Sequence, residues 1–113
     1  MSKTLFEKII AREIPAAIVY EDDQVLAFHD IKPQAPVHIL IVPRQHIASI
    51  AHAQREHNHL LGHLHWAAAE IARSKGLTQG YRTVINTGED GGQTVDHIHV
   101  HLLGGRPMTW PPG

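Results

Sequence analysis

His97-Ile98-His99-Val100-His101-Leu102-Leu103 is the stretch on which the reading of this chain turns. In an extended strand successive side chains point to opposite faces, so His97, His99 and His101 would share one face while Ile98, Val100 and Leu102 pack the other. At a rise of about 3.3 Å per residue, neighbouring imidazoles on that face would stand about 7 Å apart. Neutral imidazole, with an unperturbed pKa of about 6.5, is both nucleophile and proton carrier near pH 7. One ring can attack phosphorus, a second can give a proton to the leaving group, and a third can hold the tautomer of the first. Two plainer readings compete: a polar strand face that happens to use histidine, and a metal site. Against the metal, no acidic residue is placed in the sequence as an obvious third ligand.

Working outward, Tyr81 to Asn86 reads as a strand, joined to His97–Leu103 by the loop Thr87-Gly88-Glu89-Asp90-Gly91-Gly92-Gln93-Thr94. Upstream, apolar residues recur at helical spacing from about Gln54 to Lys75 (Leu60, Leu61, Leu64, Ala67, Ala68, Ile71), with Gly76 suited to the position just past the helix. Val37-His38-Ile39-Leu40-Ile41-Val42 is β-branched, too short for a helix and stopped by Pro43, so it reads as a buried strand. Ile18-Val19-Tyr20 and Val25-Leu26-Ala27-Phe28 form a hairpin around the acidic turn Glu21-Asp22-Asp23-Gln24. Thr4 followed by Glu7 is a capping-box pattern that opens a short helix over residues 4–12. The order predicts an α+β domain spanning 1–113, with a mainly antiparallel five-stranded sheet, two helices and an irregular Gly- and Pro-rich tail from about residue 104.

The 113 residues suit one domain. Ten basic against eleven acidic residues give a formal charge of −1, so no positive field gathers a polyanion and broad nucleic-acid binding is disfavoured. With no cysteine, disulfides and thiolate metal sites are excluded, and any zinc site would need histidine and carboxylate alone. No apolar run reaches the roughly 18 residues of a membrane span, so a soluble cytoplasmic protein is expected. The eleven histidines fall into two groups. His52, His57, His59, His63 and His65 surround the long helix, read as a solvated face and receive no function; Trp66 beside them is left between core and dimer seam.

The strand motif resembles the signature of the histidine-triad superfamily. Phe28-His29-Asp30-Ile31, Pro33-Gln34-Ala35-Pro36-Val37-His38, Pro43-Arg44-Gln45-His46, Gly91-Gly92-Gln93-Thr94-Val95 and Trp110-Pro111-Pro112-Gly113 are similar to its Hint branch across essentially the whole chain. The resemblance implies a homodimer that binds purine nucleoside monophosphates and hydrolyses nucleoside phosphoramidates through a nucleotidyl-histidine intermediate, with no cofactor and no metal. Position by position it implies that His99 is the nucleophile, His101 contacts phosphate, His38 is a supporting fourth histidine and His97 is the first triad member. It puts Asn86, Gly92, Gln93, Thr94 and Val95 beside phosphate or sugar, Asp30 and Ile31 at the ribose, and His29 among the nucleotide-binding residues. Phe6, Ile9, Ile14, Phe28 and Leu40 match the apolar base pocket. Trp110 lies in a tail that the resemblance sends across the dimer into the partner's site, with the long helix and the last strand expected at the interface. Thr94 stands where serine is frequent, and Asp96, which would repel phosphate, is expected to point outward.

Some of this stands on the residues themselves. The Asp30 carboxylate can accept both hydroxyls of a cis-diol, and glycines let the 91–94 loop turn N–H groups toward an anion. Phe6, Ile9 and Phe28 fit a plain core equally well. The leading function is phosphoramidate hydrolysis on His99. The alternatives are a non-catalytic purine-nucleotide sensor or scaffold, a dinucleoside polyphosphate hydrolase for which only Arg44, Arg82 and Arg106 could supply cations, and a zinc hydrolase.

Overall fold

Seven residues from Val37 to Pro43, six of them buried, form the central strand of the protein. The computed structural model describes residues 3–113; Met1 and Ser2, the start of the expected domain, lie outside the described residues. In chain order the elements are helix α1 (Leu5–Ile10), strands β1 (Ile18–Glu21), β2 (Val25–His29) and β3 (Val37–Pro43), helix α2 (Asn58–Ser74), and strands β4 (Tyr81–Val84) and β5 (Val100–Gly104). The strands make one antiparallel sheet in the order β1-β2-β3-β5-β4. This is the α+β architecture expected from the sequence.

Alternation along β3 makes the sheet two-sided. Ile39 and Ile41 pair with Leu102 and Val100 and, with Val25 and Ala27, meet α2 through its buried stripe of Leu60, Leu64, Ala67, Ala68, Ile71 and Ala72. Each buried Leu or Ile of that seam contributes about 1.5–3 kcal/mol of apolar burial. On the opposite face Leu40 and Val42 join Leu26 and Phe28, covered by Phe6 and Ile9 of α1. His38 and His101 belong to this second face, since His101 lies directly opposite Leu40. Both faces are therefore packed, one by α2 and the other by α1, and His38 and His101 lie on the second.

The local signals for α1 hold in detail. Thr4 Oγ1 accepts the Glu7 N–H at 3.2 Å and Glu7 Oε1 accepts the Thr4 N–H at 2.9 Å, the capping box foreseen. The helix stops at Ile10, two residues early, because Arg12 takes a left-handed φ of 62°. Helix α2 begins at Asn58 rather than near Gln54: two 3-10 turns precede it, and the His57 ring accepts the Gln54 N–H at 2.9 Å. Gly76 closes α2 as expected, with its N–H on Arg73 O and that of Leu77 on Ala72 O.

Two strand expectations need correction. β4 ends at Val84, since its ladder with β5 stops at the Val84–His101 pair. β5 begins at Val100, so His97 to His99 are outside the ladder; their backbone bonds run elsewhere, the Ile98 N–H to Ile47 O at 2.8 Å and the His97 N–H to Val95 O at 2.9 Å. In the sheet β5 is flanked by β3 and β4, and the edge strands are β1 and β4.

His63, assigned no function from the sequence, ties α2 to the first hairpin. Its Nε2–H donates to Asp22 Oδ2 at 2.6 Å, the Tyr20 hydroxyl donates to the same oxygen at 2.7 Å, and the N–H groups of Gln24 and Val25 donate to Oδ1 at 2.8 Å. Trp66, half-exposed, stacks on the His63 ring at 5.5 Å. Burial pushes the Asp22 carboxyl upward, but the bonds from Gln24, Tyr20, His63 and Val25 outweigh it and hold the group well below the usual carboxylate range. The same contact pushes the Tyr20 phenol up to about 12. A carboxylate depressed in the folded state contributes stability above its unfolded pKa of about 4, and that contribution is lost as pH falls below it. Chemical denaturation of the wild type should therefore show a loss of stability as pH is lowered from 6 toward 3. Asp22→Ala, expected to cost about 1–3 kcal/mol at pH 7, should flatten that dependence; parallel curves for the two proteins would contradict the role of Asp22.

Candidate active site

Diagonal neighbours on one sheet face bring His38 and His101 together. His38 sits two residues before Leu40, the partner of His101, and its ring nitrogen Nε2 lies 2.9 Å from His101 Nδ1. The His99 ring stands 5.0 Å from that of His101, at 63°. This is closer than the 7 Å of a regular strand, because His99 lies outside the β5 ladder.

Main-chain groups decide which nitrogen of each ring carries the proton. His99 Nδ1 lies 2.8 Å from the His97 carbonyl, which can only accept, so Nδ1 carries the hydrogen and Nε2 is left with a lone pair. The Gln34 N–H donates to His38 Nδ1 at 3.0 Å, so neutral His38 carries its proton on Nε2. That Nε2–H points at His101 Nδ1, which must accept, so neutral His101 is protonated on Nε2. His97 Nε2–H donates to Pro43 O at 2.8 Å. A third ring was expected to hold the tautomer of the nucleophile; His97 does so with its carbonyl rather than its imidazole. Burial pushes His38 and His97 below the ordinary histidine pKa. It takes His101 down to about 4, helped by His99 and His38 and opposed by Asp30.

An acidic residue does stand by the histidines, contrary to the sequence reading. Asp30 Oδ2 lies 3.4 Å from His38 Nε2, and its Oδ1 accepts the Lys32 N–H at 2.8 Å. Asp30, His38 and His101 place three potential ligand atoms within 4.8 Å of one another, the trio of that kind among the described residues. By type these donors suit zinc. A metal would need lone pairs on both His38 Nε2 and His101 Nδ1, yet inverting the His38 tautomer would set its Nδ1–H against the Gln34 N–H. As hydrogen-bonded, the trio holds a proton where the ion would sit, and it does not fit a metal.

The apolar residues singled out from the sequence lie together beside His99. Phe6, Ile9, Phe28 and Leu40 are buried in one cluster with Ile14 and Val95 at its margin, and Phe6 meets His99 edge-on at 4.9 Å and Phe28 at 5.7 Å. The 86–95 loop is braced from within. Asn86 Nδ2 donates to Gly91 O at 2.7 Å, while Gln93 Nε2 donates to Ala48 O and Val95 O and its Oε1 accepts the Gly88 N–H. The side chains of Asn86 and Gln93 thus shape the loop, leaving Gly92 and Thr94 exposed on it. A Cβ on Gly91 would sit 2.2 Å from Thr87 O, so only glycine closes this turn. Asp96 is exposed, as expected. His29 is exposed, Ile31 is 91% exposed, and Trp110 is 81% exposed on a tail tied to β4 by the Arg82 bond to Thr109 O.

The three arginines considered as phosphate cations are engaged elsewhere: Arg44 with Glu21 and Asp22 O, Arg82 with Thr109 O, Arg106 with Gln34 O. Sequence reasoning missed His46, whose ring packs on His97 at 5.2 Å and whose Nε2–H donates to Asp96 O at 2.8 Å. It lay inside a quoted match, which was the available signal. It also missed the Gln34 N–H, a main-chain group that no residue type announces.

The HIT domain family matches residues 11–108. The 14 kDa zinc-binding protein of Zea mays is 55% identical over 99% of this chain and 89% of its own length. The adenylylsulfatase HINT1 of Arabidopsis thaliana is 53% identical over 99% of this chain and 78% of its own. The crystal structure of a HIT family hydrolase from Legionella pneumophila superposes with a TM-score of 0.96, at 52% identity over 98% of this chain and all of the other. With that match running through nearly the full sequence, the chain belongs to the HIT domain family.

Proposed function

We propose that the protein is a cytoplasmic purine nucleoside phosphoramidate hydrolase that works through a nucleotidyl intermediate on His99. The observation that carries this reading is the set of partners on two adjacent rings 5.0 Å apart: the His97 carbonyl at His99 Nδ1 and His38 Nε2 at His101 Nδ1, which assign a lone pair to His99 Nε2 and a proton to His101 Nε2. His99 Nε2 attacks phosphorus while the Nε2–H of His101 bonds a phosphoryl oxygen. The P–N bond breaks as the amine nitrogen takes the proton of His101 Nε2 and leaves. Water then attacks the nucleotidyl-His99 phosphorus and gives a proton back to His101 Nε2, the P–N bond to the ring breaks, and the nucleoside monophosphate departs. Two lower barriers replace one. An anionic phosphate beside His101 favours its protonated form, which makes the ring a better donor once substrate is bound.

The purine would lie against the Phe6, Ile9, Ile14, Phe28 and Leu40 cluster that touches His99. Asp30 would take the ribose hydroxyls: a carboxylate has about four acceptor positions, and the Lys32 N–H uses one of them. Relatives named as an adenylylsulfatase and as a HIT family hydrolase support hydrolysis at a nucleotide phosphorus. We further infer a homodimer. The open β4 edge, with Tyr81 exposed, offers backbone groups to a second copy, and the 106–113 tail, carrying Trp110, would complete the partner's site.

Three outcomes follow. His99→Ala should abolish turnover of an adenosine phosphoramidate and leave nucleoside monophosphate affinity within about tenfold, with a nucleotidyl adduct on wild-type His99 seen by mass spectrometry; wild-type turnover in the variant would refute the nucleophile. EDTA should leave kcat/KM unchanged, and activity lost to the chelator but restored by zinc would overturn the metal-free reading. Deleting residues from Met108 onward should alter the kcat/KM ratio between a bulky aromatic amine and a small alkyl amine while monophosphate affinity stays nearly constant. An unchanged ratio, or a full-length chain that sediments as a monomer, would remove the tail from the site.

A further inference from the structure

The main chain of Gln34 is gripped from two sides. Its N–H donates to His38 Nδ1 at 3.0 Å, and its carbonyl accepts from Arg106 Nη2 at 2.9 Å and Nε at 3.3 Å. Arg106 Nη1 donates to Pro107 O at 3.0 Å, which steadies the guanidinium against its own segment. Independently, Gly105 lies on the same stretch. It has a φ of +90°, and a Cβ added there would stand 2.9 Å from Pro36 Cβ, so the chain after β5 rests directly on residues 34–36. From the other side, Gln34 Nε2 donates to Lys32 O at 3.1 Å. The loop that presents the Gln34 N–H is thus clamped by a residue outside the sheet.

We propose that Arg106 is a positioning residue that sets the proton on His101 from four steps away: the guanidinium holds the Gln34 carbonyl, the Gln34 N–H occupies His38 Nδ1, His38 Nε2–H occupies His101 Nδ1, and His101 is left with its hydrogen on Nε2. The functional consequence rests on the reading of His101 Nε2–H as the donor to the phosphoryl group. Without the clamp, segment 34–36 is free to turn the Gln34 N–H away. His38 can then carry its proton on Nδ1 and accept through Nε2, and His101 must answer with Nδ1–H, losing the hydrogen that faces the reacting group. A planar guanidinium delivering two N–H groups to one carbonyl fixes direction as well as distance, which a single donor does less well.

The test reads the ring nitrogens of the full, ligand-free chain by long-range ¹H–¹⁵N correlation. Wild type should show His38 and His101 both protonated on Nε2. Arg106→Ala should turn both into tautomer mixtures and lower kcat for an adenosine phosphoramidate by about tenfold with KM within about twofold, and Arg106→Lys should restore most of the wild-type pattern through one bond. Should the alanine variant fold poorly, Arg106→Met, which keeps the aliphatic stem but has no donor, gives the same comparison. Wild-type ring signals in a folded Arg106→Ala or Arg106→Met protein overturn the proposal, as does a raised KM with unchanged signals, which would make Arg106 a substrate contact. The spectra need no substrate. Altered tautomers with no phosphoramidate turnover in wild type would uphold the clamp and refute the proposed reaction instead.

Discussion

A buried imidazole has to satisfy two ring nitrogens, one as donor and one as acceptor, and the placement of partners for them shapes this protein more than any other requirement. His38, His97 and His99 are all nearly removed from solvent. Their partners are main-chain groups: the Gln34 N–H, the Pro43 carbonyl and the His97 carbonyl. Because a carbonyl can only accept and an N–H can only donate, each contact assigns a tautomer as well as a position. Of the other three ring nitrogens, His38 Nε2 meets His101, His99 Nε2 keeps its lone pair, and His97 Nδ1 is buried without a partner, a cost of about 1–3 kcal/mol. His97 is held nonetheless, by Phe6 and His46 edge-on to its ring and by the bond to Pro43 at the end of β3. That bond keeps the His97 carbonyl where His99 needs it.

The two-sided sheet makes such an arrangement tolerable. All of α2 packs on the face of Ile39, Ile41, Val100 and Leu102, so cohesion there does not depend on the histidines. The opposite face can then hold imidazoles at β3 and just before and within β5, with only the short α1 over the adjoining apolar part. Separate faces also explain why the Asp22, Tyr20 and His63 knot, although rich in titratable groups, belongs to the assembly of α2 with the first hairpin rather than to the site.

Much of this was legible because the signals are local. The capping box at Thr4, the alternation and Pro43 stop of β3, and the Gly76 terminus of α2 each act within a few residues. The histidine face was legible in kind but not in geometry. A regular strand was expected over His97–Leu103, whereas the Ile98 N–H finds Ile47 O, some fifty residues away in the chain, and the ladder begins only at Val100. Pairing partners across the sheet were equally hidden: nothing local to β4 or β5 says that the last strand lies inside the sheet and β4 at its edge. Asp30 was seen as a ribose acceptor, yet its approach to His38 depends on how the turn after β2 folds back. Gln34 contributes a backbone atom, and no side-chain pattern reports that.

The placement of charge bears on what the site can select. Arg44, Arg82 and Arg106 each spend their guanidinium on protein oxygens, and burial together with His99 and His38 keeps His101 neutral down to about pH 4. A phosphate bound as proposed would therefore meet oriented N–H dipoles rather than these guanidinium groups. Dipoles of this kind suit a single phosphorus center carrying one negative charge, whose approach itself raises the proton affinity of His101. A chain of phosphates would bring several charges with no guanidinium to receive them. On the proposed reading, the orientation of those dipoles, set by backbone groups and steadied at Gln34 by Arg106, would take the place of positive charge and tie phosphate recognition to the same hydrogen bonds that order His99.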